Sequence, residues 1–196
     1  MPGAGGEKPG AAPLRRETKE VAVREPKRIW WAVPRKLCAL ERPGGGGRSH
    51  RPDRRAAEIA WLKHNGVRLC VSTMTTRHNL GDYEAAGLEA HHVPVASAAE
   101  GADSLEELLG LLRREVRRRG AVAIHGNRHT DFVAAVCAAY LYGARGVDPL
   151  EGLRDAAAAG LVVSPGACEL LGVSYEAVQP RSAIAASTAD GRSVTT

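Results

Sequence analysis

Ala121 to Tyr142 reads AVAIHGNRHTDFVAAVCAAYLY, and it divides into three parts. Ala121 to His125 is a short apolar run closed by a histidine, the length of a buried strand. Phe132 to Tyr142 is an unbroken apolar run of 11 residues. A membrane span needs ~20, so this run predicts a buried helix. Between them lie Gly126 to Asp131, dense in polar groups. A strand that turns through such a loop into a helix gathers backbone N–H groups and a helix N-terminus around one point, which favours an anion. Ligand chemistry is expected here, where a strand end meets a helix start.

The alternation of strand and helix continues outward. Ile29 to Val33 and Leu37 to Leu40 predict two short strands broken at Pro34. Asp53 to His64 predicts a helix with Ala56, Ile59, Ala60 and Lys63 on one face, stopped by Gly66. Val67 to Ser72 predicts a buried strand, Asp82 to Ala86 a helical turn ended by Gly87, and Leu88 to Val95 the next strand. Ser104 with Glu107 reads as a capping box. It opens a helix whose apolar stripe is Leu105, Leu108, Leu109, Leu112 and Val116. Arg113, Arg114, Arg117, Arg118 and Arg119 lie opposite. They read either as a solvated face suited to a helix C-terminus or as an anion or partner surface. Asp148-Pro149 and Ser164-Pro165 predict N-caps followed by proline, with helices ending near Gly160 and Gly172. The class is α/β, a mostly parallel central sheet flanked by helices.

Composition bounds the rest. The 196 residues carry a net charge of +5, with 25% charged and 44% apolar residues. Residues 1–28, rich in Gly, Ala, Pro and charge, predict a disordered basic arm. The domain is expected over 29–176 and a flexible tail over 177–196, with Gly44 to Gly47 a flexible loop inside the domain. The arm holds seven Lys/Arg against four Asp/Glu, which leaves the domain itself close to neutral. Charge placed in the tails counts against a nucleic-acid partner. Neither an export leader nor a membrane span is expected from this reading. Cys38, Cys70, Cys137 and Cys168 form no CxxC pair and predict reduced core thiols, as expected of a cytoplasmic protein.

Several of these features together resemble the dual-specificity protein phosphatases of the cysteine-phosphatase superfamily. That family's loop reads His-Cys, five residues, Arg, at a turn from a buried strand into an apolar helix, the setting of His125 to Phe132 here. The short strands between Trp30 and Leu40 resemble the family's opening pair. His64-Asn65-Gly66 running into VRLCVS, and YEAAGLEAHHVPV from Tyr83 to Val95, resemble its next two steps. The likeness covers about 29–145. It implies the family's fold and a loop that cradles phosphate.

The departures fall on the chemistry. The family's nucleophile is a thiolate, and Gly126 stands in its place. Its arginine grips two phosphoryl oxygens, and Phe132, the chain's single phenylalanine, stands there. Its aspartate protonates the leaving oxygen, and Ser97 or Ala96 follows Pro94-Val95 instead. Each loss costs roughly two to six decades of rate by analogy with other catalytic units, so the family mechanism is untenable. His-Gly-Asn at 125–127 is similar to the loop start of phosphoserine/threonine/tyrosine-interaction proteins, pseudophosphatases that keep the arginine. The expectation is a catalytically inactive binding or regulatory module, with a protein or a phosphorylated ligand as partner.

The loop residues His125, Gly126, Asn127, Arg128, His129, Thr130 and Asp131 are the expected ligand-binding set. The alternative is a repurposed enzyme acting on a small metabolite, with His125, His129 and Asp131 as acid–base groups. His125 reads more readily as a buried orienting residue, and Thr130 or Asp131 as an N-cap. Arg128 supplies a cation if it turns inward. A metal would require His125, His129 and Asp131 with at most one of His91 and His92, which face opposite ways on a strand. Neither metal nor cofactor enters the expected function.

Overall fold

The computed structural model describes residues 22–45, 51–98, 100–126 and 130–179. Five strands form one sheet: β1 (Ile29–Val33), β2 (Leu37–Glu41), β3 (Val67–Ser72), β4 (Glu89–His92) and β5 (Ala121–Gly126). Their order is β1-β2-β5-β3-β4. Only the β1/β2 pair is antiparallel, and its register shifts between Trp30 and Val33. The pairs β2/β5, β5/β3 and β3/β4 are all parallel. The sheet is mostly parallel and flanked by helices, as the alternation of signals implied.

β5 lies at the centre and is buried along its whole length, which is why its sequence is a continuous apolar run. Its side chains alternate between faces. Val122 and Ile124 join Leu37, Ala39, Leu69 and Val71 in the larger core. That core is closed by α3 (Ala102–Glu115), α4 (Asp131–Arg145), α5 (Pro149–Ala158), α6 (Pro165–Leu170) and α7 (Tyr175–Val178). Ala121 and Ala123 face the smaller core with Cys38, Leu40 and Cys70. Ile59 and Leu62 of α1 (Pro52–His64), with Leu80 and Tyr83 of α2 (Leu80–Ala85), close that side. All four cysteines are buried and free, Cys137 deep in α4.

The caps of α5 and α6 are those the sequence names. Asp148 accepts from Leu150 N at 2.8 Å, and Ser164 Oγ from Ala167 N at 3.1 Å. Other expectations are corrected. The inward face of α1 is Ala57, Glu58, Ile59 and Leu62, while Ala56 and Lys63 are exposed. Glu58 is buried, where it accepts from Gly44 N at 2.8 Å and pairs with Arg54 Nε at 2.6 Å. Gly44 holds φ +89°, a backbone conformation glycine alone adopts freely.

No capping box opens α3. The helix starts three residues earlier, behind a turn in which Gly101 N bonds to Ala98 O, and its N-cap position is Gly101 rather than Ser104. β4 is shorter than Leu88 to Val95. Beyond His92 the chain still bonds to β3 through Val93 N to Ser72 O and Val95 N to Thr73 O, but Pro94 between them has no N–H to give. α7 has no counterpart in the sequence reading and spans the expected boundary at 176.

Candidate functional site

The carboxyl-terminal ends of the parallel strands open onto a cleft of about 590 Å³. Arg42 enters from the end of β2, Gly126 from β5, Thr73 to Thr76 from the end of β3, and Val95 to Ala98 from beyond β4. His78 completes that side, and Asp131 and Phe132 close the cleft from the first turn of α4. Sequence reading missed Arg42, Thr73, Thr75, Thr76 and His78. The rule that ligands sit beyond strand ends would have found them once β2 and β3 were known to flank β5.

Arg42 is held firmly at the rim. Its backbone N bonds to Gly126 O at 3.1 Å, extending the β2/β5 ladder by one step, and its Nε donates to Gly45 O at 3.0 Å. This places a guanidinium beside the end of β5.

His125 points the other way. Strand alternation turns it toward the α1/α2 layer, where it is buried and hydrogen-bonds through Nε2 to Tyr83 Oη at 2.9 Å. The two rings meet edge to face at 5.6 Å. Burial pushes the imidazole down to about 4, against an opposing pull from the Gly126 backbone, and the positive charge of Arg42 lowers it further. Its Nδ1 has no partner in hydrogen-bond geometry among the described residues. Burial likewise raises the Tyr83 phenol well above its ordinary value. His125 is therefore neutral at pH 7. Its carbonyl accepts from Thr73 N at 2.9 Å and Thr73 Oγ1 at 3.2 Å, which ties the β3 exit to β5.

Thr130 occupies the N-cap position of α4 but does not cap it with its side chain. The buried Thr130 Oγ1 accepts instead from Val162 N at 2.9 Å. Asp131, the first residue of the helix, accepts from Ser164 Oγ at 2.7 Å. The two side chains thus tie the start of α4 to the segment before α6. Asn127, Arg128 and His129 lie outside the described residues.

Phe132 is 5% exposed and belongs to the larger core. Its ring lies against Gly101, and a methyl group there would collide with it. The aromatic ring thus packs the start of α4 against the segment that carries Ser97. Ser97 Oγ bonds to Glu100 Oε1 at 3.2 Å and accepts from Glu100 N at 3.3 Å, a local turn on the cleft's outer lip. His92 Nε2 bonds to Met74 O at 2.7 Å and His91 is exposed. Among the described residues no three metal-ligating groups come together. No helix among them is long and apolar enough to cross a membrane.

Solved structures share this architecture. Human DUSP28 superposes with a TM-score of 0.58 at 24% identity, covering 77% of this chain and 94% of its own. Tk-PTP in its active form gives a TM-score of 0.55 at 20% identity, over 70% of this chain and 89% of its own. P. aeruginosa TpbA in complex with pTyr gives 0.55 at 18% identity, over 76% and 86%. The fold is that of the dual-specificity and tyrosine phosphatases. In this phosphatase fold the cleft described above lies at the end of β5 and the start of α4. No protein-family model matches the sequence, and no curated protein matches it. At these identities the likeness is one of fold, and the site must be argued from its own residues.

Proposed function

We propose that this chain is a catalytically inactive, dual-specificity-phosphatase-like protein that binds a phosphorylated ligand in its cleft and acts as a binding or regulatory module in the cytoplasm. The pairing of Gly126 with Phe132 carries this reading. Where the resemblance calls for a thiolate there is no side chain, and where it calls for a phosphate-gripping cation an aromatic ring is buried against Gly101. No other thiol can substitute. Burial raises all four, Cys70 to about 12, so none is an ionised nucleophile at pH 7.

The ligand class is supported by what remains. Arg42 supplies a cation, and Thr75 and Thr76 supply hydroxyls around the cleft. In this reading His125, Gly126, Asn127, Arg128, His129, Thr130 and Asp131 form the backbone cradle that the family loop implies. TpbA has been solved with pTyr on the same fold, which is why phosphotyrosine is among the probes below.

The test is a calorimetric titration with phosphate, sulfate, vanadate and a phosphotyrosine peptide, run beside a turnover assay with an aryl phosphate. Saturable binding without turnover is expected. Arg42→Ala should weaken it about tenfold or more, the worth of one charge-assisted bond. Silence toward every anion overturns the ligand assignment. Metal-independent turnover abolished by a loop substitution overturns the inactivity, and would favour the acid–base alternative on His129 and Asp131.

A further inference from the structure

A second concave surface lies at the far end of α4, about 20 Å from the cleft given the ~1.5 Å rise per helical residue. It has a volume of about 340 Å³. Arg113 near the end of α3, Arg117 just beyond it, and Arg145 at the end of α4 converge on a floor made by Tyr140, Gly143 and Ala144. Among the described residues no acidic one lines it.

Several arginines packed against the fold elsewhere have carboxylate partners. Arg54 pairs with Glu58 at 2.6 Å, Arg68 and Arg118 share Glu115 at 2.6 and 2.9 Å, and Arg55 pairs with Asp82 at 3.0 Å. Here the pairing lapses. Arg113 reaches Glu106 only at 3.9 Å with both side chains exposed, and Arg117 and Arg145 have no ion pair among the described residues. The partial negative charge of two helix C-termini helps the arginines sit there, but it does not require that they surround a pocket.

We propose that this pocket docks an acidic peptide segment of a partner protein. The guanidinium groups are the planar forks that suit carboxylates. Arg113 in the last turn of α3 and Arg117 in the turn that follows it both line the pocket. An extended peptide offers carboxylates at alternate positions on one side, about 6.6 Å apart, so that one strand of acidic residues can present several to the three arginines. The small residues Gly143 and Ala144 let a main chain approach closely. The acidic occupant is assigned to a partner because residues 1–21, 46–50 and 180–196 of this chain each hold more basic than acidic residues.

Fluorescence anisotropy of the full chain with a labelled peptide of alternating Glu and Ser tests this, with a Gln-for-Glu peptide as control. The Glu peptide should bind, the control should not, and added salt should weaken the binding. Arg113→Glu with Arg117→Glu should lower the affinity at least tenfold, and Arg113→Gln with Arg117→Gln should do so more gently. Arg24→Glu with Arg51→Glu, the same change of charge elsewhere on the surface, should leave it unaltered. Equal loss in that variant means a net-charge effect and overturns the pocket. A single-stranded oligonucleotide that displaces the peptide and binds more tightly through the same arginines overturns the choice of a peptide. Phosphate binding at the cleft should be unchanged in the arginine variants, so this proposal and the cleft assignment succeed or fail separately.

Discussion

Phe132 and Gly101 interlock as a bulky ring and a missing side chain, a fit that either residue alone would spoil. Phe132→Ala should cost about 3–5 kcal/mol, the usual range for emptying a buried aromatic site. Urea unfolding monitored by circular dichroism measures it, and a loss below about 1 kcal/mol would mean that the ring is not holding the 95–101 segment. Position 132 stood out in the sequence because the resemblance places an arginine there, whereas the packing of its ring on Gly101 depends on the fold and carries no local signal. The direction of His125 was not legible, because it depends on which layer of helices lies under the alternate face of β5. Arg42 escaped for a related reason. Its nearness to Gly126 follows from β2 lying beside β5, and no local signal carries a strand's neighbour.

Among the elements, α1 carries the least expected device. Glu58 sits on its inward face and fixes the turn at Gly44 while paired with Arg54. Glu58→Ala removes one partner of a buried pair and should cost about 3 kcal/mol, toward the lower end of the range because Arg54 keeps contact with water. Glu58→Gln, which can still accept from Gly44 N, should cost about half as much. The two urea midpoints decide it, and equal losses would show that the turn bond contributes nothing. Helix starts at Asp148 and Ser164 were legible because a cap acts within three residues of itself. The start of α3 was not, since the Ala98–Gly101 turn begins the helix ahead of Ser104 and makes the side-chain cap unnecessary. α7, four residues long, has too short a pattern to stand out.

For the molecule as a whole, the buried neutral His125 couples folding to pH. The unfolded chain binds a proton at this histidine below about 6.5, whereas the folded chain resists it down to about 4. Stability is therefore complete above pH 6.5 and falls as the pH drops toward 4, by up to roughly 3 kcal/mol. Denaturant midpoints across that interval should show the slope, and His125→Asn should flatten it; an unchanged slope would assign the effect to other groups. The sheet order that buries this histidine was legible only as a class, because alternation of strands and helices implies parallel pairing without naming neighbours. That same order leaves β1 and β4 at the two margins. β4 has four residues, with Glu89 and His91 turned to water, and the register of β1 slips at Trp30. Neither margin is a long, flat row of free amides on which another chain could polymerise, which protects the protein from edge-to-edge aggregation and leaves recognition to its side chains.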